Sequence, residues 1–519
     1  MVINYLELNV VKFFLSRTTE RQRGTTRLLP WKITSETAAQ AGFSRSLRLI
    51  LALLLLTAFA AEAFSQVART PGEAYVHIDS ITMEGNRKTR PALILRELEF
   101  ASGDSLPVAE LPAILERNGL RLMNLGIFNV ARINVQRWDP VTNHVSLHID
   151  LIETWYIYPV PLFELADRNF NVWWTEFHRS LKRVNYGIDW NQLNLTGNAD
   201  ILKVKTQFGY ANKYELRYSR PNFNRNQTIG LDAGVTYTRS HEVAYATEGN
   251  KLLFHVNRDQ WQIVQISAGG SVLWRPALFT THRFTAEYRT STVADSIAGF
   301  LNADFFLHGS RKQRHMSLLY NLTFDHRDIH PYPLSGWLLV AELRQNGLLP
   351  GDNLHLFRAY VEYAKYFPFR EKRMSLETVL RARSSLPRCR PPYFNNQALG
   401  YGGSFVRGYE YYVADGLDFG LLKTAFHVQL FDRTFHLGKY MPLEAFRVFP
   451  IKLYFSLNSD VGYANDPYYA DRNPLANRLL WGYGFGLDLI AYYNKTARFE
   501  WSWNDRGENG FFLRINTGF

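Results

Sequence analysis

The sequence predicts a mainly β protein: a transmembrane antiparallel β-barrel over residues 155–519, preceded by one small α+β domain over 75–153 and a leader over 1–63. Three observations carry this reading. Of 519 residues, 77 are aromatic (36 Phe, 29 Tyr, 12 Trp) and only 20% are charged, the opposite balance to that of a disordered chain. Stretches of about ten residues alternate apolar with polar or small side chains along the C-terminal part, as membrane strands do. After the leader, no apolar run approaches the roughly 18 residues of a spanning helix. The single Cys389 excludes a disulfide framework and any multi-cysteine metal site. The formal net charge is +12, and the leader, with 8 Lys/Arg against 4 Asp/Glu, holds +4 of it. The rest is spread without a long basic run, so nucleic acid is not expected as a partner.

In the leader, residues 49–61 read LILALLLLTAFAA, too short to cross a bilayer comfortably as a helix. Arg45 and Arg48 stand before this run and Ala61-Glu62-Ala63 follows it. A basic region, a short apolar region and an A-x-A site make a secretory signal peptide. The alternative is a buried helix or a membrane anchor. Residues 1–44 are polar and read as an over-extended start, so the mature chain is expected to begin near Phe64.

In the small domain, residues 75–83 alternate as a strand and stop at Gly85-Asn86. Thr89 is expected to cap a helix with Pro91 in its first turn, running to about Glu99. After the break at Ser102-Gly103-Asp104, the spacing of Leu111, Ile114, Leu115, Leu122 and Leu125 predicts a second helix. Two strands follow, over 128–135 and 145–152, across a turn at 139–143, giving the order β-α-α-β-β. The segment resembles a POTRA domain: the opening strand with Gly85-Asn86, then Arg96-Glu97-Leu98 before Gly103-Asp104, then Leu125-Gly126-Ile127-Phe128. That resemblance implies binding of unfolded polypeptides by strand addition, in which unpaired backbone groups of a sheet edge give sequence-tolerant affinity. The bland alternative is a structural spacer.

The alternation beyond Trp155 is explicit. Trp481, Tyr483, Phe485, Leu487 and Leu489 alternate with Gly482, Gly484, Gly486 and Asp488. Phe499, Trp501 and Trp503 alternate with Arg498, Glu500, Ser502 and Asn504; Phe511, Leu513, Ile515 and Phe519 share a face. In a soluble sandwich the polar face would meet water; in a barrel it lines a wet lumen while the apolar face meets lipid. Recurring charges on the polar face and aromatics near strand ends favour the barrel, the one sheet architecture that satisfies every backbone group in lipid. About fourteen strands are clear.

Residues 399–412 read LGYGGSFVRGYEYY. Here the chain resembles the BamA/TamA family of outer-membrane assembly proteins, through Gly402-Gly403 and Val406-Arg407-Gly408-Tyr409. Further matches are Asp325, Arg327 and Asp328 with a turn ending at Gly336, the tripeptide Tyr366-Phe367-Pro368, and a terminal strand ending in Phe519 like the family's C-terminal assembly signal. The resemblance covers 75–519 and implies a sixteen-stranded barrel whose first and last strands pair poorly. It also implies that Arg407, on a loop folded into the lumen, meets the acidic residue of an F-x-D-x-G motif, here Asp460 with Gly462. Asn458 replaces the aromatic of that motif. Strand parity agrees: Leu453, Phe455 and Leu457 point outward, so Asp460 points inward. A bidentate, partly desolvated Arg407–Asp460 pair is expected.

The resemblance implies a non-enzymatic outer-membrane protein, its POTRA domain in the periplasm, that assembles, inserts or translocates polypeptides. Its partners would be the lipid bilayer, unfolded outer-membrane or secreted polypeptides, and periplasmic chaperones or lipoproteins. No cofactor, metal or catalytic residue is expected. The alternatives are a two-partner-type secretion pore and a passive porin-like channel. No G-x-S-x-G occurs, and His326 and His330 near Asp328 read as a strand-end turn rather than a hydrolytic site.

Overall fold

The structure is a computed structural model that describes residues 74–166, 172–370, 373–438, 441, 447–492 and 495–516. The leader over 1–63 and the terminal Phe519 lie outside the described residues.

The N-terminal part comprises β1 (Tyr75–Glu84), α1 (Pro91–Arg96), β2 (Ser105–Pro107), α2 (Leu111–Asn124), β3 (Phe128–Asp139) and β4 (His144–Glu153). Its sheet runs in the order β2-β1-β4-β3, with β1 and β4 parallel at the centre. The alternation of β1 buries Val76 and Ile78, and α2 turns Leu111, Ile114, Leu115 and Leu122 into the same core. Gly85, at φ +90°, ends β1 where any Cβ would collide with the Leu151 carbonyl.

Three expectations for this part change. The sheet gains β2 as a fourth strand, pairing antiparallel with β1 inside the segment read as a plain break. Helix α1 follows an extended Arg90 with no side-chain cap. Thr89 instead turns inward, 2% exposed, and its Oγ1 accepts the Asn194 amide at 2.9 Å. Helix α1 also stops at Arg96 rather than near Glu99, because the chain must turn there to bury Leu98 and Phe100 in the core.

The rest is built on one antiparallel sheet of sixteen strands. They begin with β5 (Ile157–Leu165), β6 (Val184–Leu193), β7 (Ile201–Gly209), β8 (Ala211–Arg220) and β9 (Ile229–Ser240). A separate hairpin, β10 (Glu242–Glu248) and β11 (Lys251–Val256), interrupts the sheet. The sheet resumes with β12 (Ile263–Ala277), β13 (Thr280–Val293), β14 (Lys312–Asp325), β15 (Gly336–Asn346), β16 (Leu356–Phe369) and β17 (Met374–Leu386). A short pair, β18 (Gln397–Leu399) and β19 (Ala414–Asp415), stands apart. The sheet closes its sequence with β20 (Asp418–His436), β21 (Val448–Asn465), β22 (Leu479–Ala491), β23 (Lys495–Asn504) and β24 (Asn509–Asn516). Each strand pairs with its sequence neighbour in the sheet, so sixteen strands stand where about fourteen were clear. Among the described residues, β5 and β24 end the order without a ladder between them.

The faces follow the alternation. On β22, Trp481, Tyr483, Phe485 and Leu487 are exposed on the outside, while Gly482, Gly486 and Asp488 are buried. Exposed aromatics over buried carboxylates invert the pattern of a soluble protein and suit a lipid-facing wall. The POTRA-like part sits under the end of the sheet that carries the β6–β7 and β14–β15 connections. There the Arg90 N–H donates to the Gly197 carbonyl at 3.0 Å, and Arg275 grips Glu97 through both carboxylate oxygens. Strands β20 and β21 project beyond their neighbours at this end: the β17 ladder stops at Val428, yet β20 continues to His436 paired only with β21.

Candidate functional site

The connection between β17 and β20 spans residues 387–417 and folds into the lumen. Gly402, at φ +56°, and Gly403 form a tight turn bridged between Tyr401 and Ser404. Val406 and Tyr409 then pack with Leu399, Phe419, Leu421, Ala464 and Leu480, so an apolar patch of loop and wall anchors the turn.

Arg407, 5% exposed, lies between them. Its Nη1 donates to Asp460 Oδ1 at 2.7 Å, its backbone N–H to Asp460 Oδ2 at 3.1 Å, and its Nε to Glu500 Oε1 at 3.0 Å. The structure therefore brings Arg407 and Asp460 together, but the side-chain fork bridges two carboxylates instead of gripping one. The reason is competition: Asp460 Oδ2 also accepts Lys423 Nζ at 2.7 Å. Arg514 pairs with Glu500 and with Glu410, the latter at 2.5 Å. Three cations (Arg407, Lys423, Arg514) thus meet three carboxylates (Glu410, Asp460, Glu500), the carboxylates all less than a tenth exposed. A buried set of this size is tolerable only because it is neutral and mutually bonded. The loop also sets an aromatic ring against this cluster: Lys423 Nζ and the Arg514 guanidinium lie 4.0 and 4.4 Å from the Phe405 ring centroid.

Small residues let the loop come this close. A Cβ at Gly482 would collide with the Arg407 carbonyl, and one at Gly462 would stand 2.5 Å from Val406 Cγ2. Gly408, at φ +82°, passes the Trp503 carbonyl, where a Cβ would sit at 2.5 Å, and its own carbonyl accepts Asn504 Nδ2 at 2.8 Å. Lys423, Glu500, Arg514, Glu410 and Gly482 were missed as site residues by sequence reasoning; inward parity was visible for Glu500, Gly482 and Arg514, but not their partner.

The second motif builds the β14–β15 turn. Arg327 forks onto Asp325 through Nε at 2.8 Å and Nη2 at 2.6 Å. Asp328 Oδ1 accepts the N–H groups of Ile329, Leu334 and Ser335 at 3.0, 3.1 and 3.3 Å. Gly336, at φ +99°, stands where a Cβ would strike the His326 carbonyl. His326 is stacked between Phe279 and Trp337, and His330 Nε2 lies 3.3 Å from Asp325. Burial pushes both imidazoles below their ordinary pKa. These contacts organise a turn.

Below the barrel, a groove of about 840 Å³ runs between α2 (Leu111, Leu115, Leu120), β3 (Val130, Val135) and the projecting hairpin at Thr434, His436 and Val448. Among the described residues, the outer edge of β3 pairs with no strand.

Residues 194–419 match the Omp85 superfamily domain, and residues 76–154 match the POTRA domain described as surface antigen variable number repeat. Among solved structures, the chain is similar to BamA from Haemophilus ducreyi lacking POTRA domains 1–3, at 11% identity and TM-score 0.48, covering 85% of this chain and 84% of that one. It is also similar to CdiB from Escherichia coli, at 12% identity and TM-score 0.47, covering 92% of this chain and 98% of that one. No curated protein matches the chain in sequence.

Proposed function

We propose that this chain, a BamA/TamA-like member of the Omp85 superfamily, sits in the outer membrane with its POTRA domain in the periplasm and inserts unfolded polypeptides into the bilayer. The work is non-covalent, and it calls for no cofactor. The observation that carries the reading is the outer edge of β3 from Val130 onward, which among the described residues pairs with no strand, beside the apolar groove that the barrel's own β20–β21 hairpin walls on the far side. An extended segment added to β3 would satisfy that edge's backbone groups and rest its apolar side chains on Leu115 and Leu120. The segment would then lie directly below the lumen. The sheet order ends at β5 and β24, which is where an incoming strand would join the wall. The loop held by Arg407 obstructs the lumen and argues against a passive channel.

The test uses the full-length protein in liposomes and an unfolded β-barrel client. The client is expected to become protease-resistant and heat-modifiable. Leu120→Asp, which puts a charge into the apolar groove, is expected to slow this about tenfold. Client released inside the liposome would move the reading to translocation. An unaffected Leu120→Asp rate would remove the groove from the mechanism.

A further inference from the structure

The turn between β14 and β15, residues 326–335, is held at two places that belong to different parts of the molecule. Its inner hold is Tyr332, which is 5% exposed although it lies in a turn. The Tyr332 hydroxyl donates to Asp488 Oδ2 on β22 at 2.8 Å and lies 2.8 Å from His427 Nδ1 on β20. Its ring packs on Tyr454 of β21 at a centroid distance of 4.9 Å. Leu334 joins the same cluster with Ile490, and its carbonyl accepts Ser375 Oγ of β17 at 2.8 Å. The turn therefore crosses the floor of the lumen and ties to four walls.

The outer hold is Asn124, the last residue of α2. Its amide donates to the Asp328 carbonyl at 3.2 Å, and its Oδ1 accepts the His330 N–H at 3.1 Å. Nearby, the Arg121 guanidinium lies 4.5 Å from the Phe279 ring, which stacks on His326. The stretch between the two holds is stiff. Asp328 gathers three of its N–H groups, and Pro331 and Pro333 flank Tyr332 with fixed φ. Asn124 at one end and Tyr332 at the other are thus joined by a short, braced segment.

We propose that residues 328–334 form a strap through which the POTRA domain controls the lumen floor: while α2 is docked, Asn124 keeps Tyr332 in its lock, and when the POTRA domain shifts, the strap loosens and the floor opens. Both holds bias one two-position element, which is the physical requirement for coupling between sites. The coupling is reciprocal, so weakening the Tyr332 lock also loosens the POTRA domain. The strap acts whichever polypeptide the barrel handles, so its test needs no client.

The test places a probe on the inner wall of the full-length chain. In a Cys389→Ser background, Ser456→Cys puts a thiol two residues from Tyr454 at a site 1% exposed. Labelling by a membrane-impermeant maleimide reports opening of the floor. Asn124→Ala, on the POTRA side of the strap, and Tyr332→Phe, which removes only the hydroxyl, are each expected to speed labelling about fivefold, the population change that follows loss of an ordinary hydrogen bond. The double variant is expected to label no faster than the faster single one. Hydrogen exchange over 326–335 should rise in step. Asn124→Ala that labels at the wild-type rate, or that labels faster only with loss of the compact unheated band, would overturn the proposal.

Discussion

A guanidinium shared by two buried carboxylates holds its loop only while the whole set stays neutral. Removing Arg407 leaves Asp460 and Glu500 with Lys423 and Arg514 alone, one positive charge short once Glu410 is counted. Arg407→Ala is therefore expected to cost about 3–5 kcal/mol, read as a lower urea or heat threshold for loss of the compact band. Arg407→Lys should recover little, because one ammonium cannot span both carboxylates. Arg407→Ala with Asp460→Ala restores neutrality and should be little worse than either single change. Strictly additive losses would show that the contact carries no coupling. Arg407 and Asp460 were legible because one sits in a recognisable motif and the other has an inward parity computable from Leu453, Phe455 and Leu457. Glu500 was legible only as a lumenal residue. Parity says which face a side chain takes, while the stagger of the sheet decides which strand faces the loop.

At the scale of elements, the glycines of the loop motif and of the wall it meets separate by what surrounds them. Gly482 on β22 leaves room for the Arg407 carbonyl, so Gly482→Ala must push the loop off the wall. Gly403 has only Arg381 Nη1 at 3.7 Å from a would-be Cβ and lies outside the left-handed region, so Gly403→Ala should be tolerated. Gly402, at φ +56°, has open space but a left-handed backbone, and Gly402→Ala should cost about 1 kcal/mol. Protease cleavage within 387–417 ranks the three; equal cleavage of the Gly482→Ala and Gly403→Ala variants would show that the close approach at β22 does not hold the loop. Strands of ten residues or more were legible because their alternation repeats long enough to be read. Strand β2 was not: Ser105, Leu106 and Pro107 are too few to alternate, and it forms only because β1 offers a free edge. The end of α1 was missed for a similar reason, since burial of Leu98 and Phe100 overrides a pattern that local spacing would continue.

For the whole molecule, the order of parts was legible, but not how the POTRA domain meets the barrel, because its contacts join residues about 180 positions apart. The barrel's sixteen-strand ladder involves no residue before Ile157, so deleting 75–153 is expected to leave a heat-modifiable barrel, whereas loss of the compact band would make the two parts one folding unit. In the intact chain the docking should depend on pH through Glu97. Burial opposes ionisation of this carboxyl, but the hydrogen bond and charge of Arg275, with the charges of Arg96 and Arg121, outweigh it and hold its pKa below the ordinary value. A carboxyl with a lowered folded-state pKa contributes stability that is fully present above its unfolded-state value. That contribution is lost as pH falls through the folded-state value. Docking should therefore be constant from neutrality to about pH 4.3, the ordinary value for glutamate, and weaken below it. The hydrogen-exchange protection factor over 86–100, taken against the intrinsic rate at each pH, follows this in the full-length protein. Glu97→Gln should exchange faster at neutral pH and show a flatter dependence, because the amide keeps a hydrogen bond but leaves Arg96, Arg121 and Arg275 facing one another without their shared anion. A wild-type protection factor that stays constant to about pH 3 would mean that the domain is held by Asn194, Gly197 and Asn124 alone and that the arginine cluster only solvates a buried carboxylate.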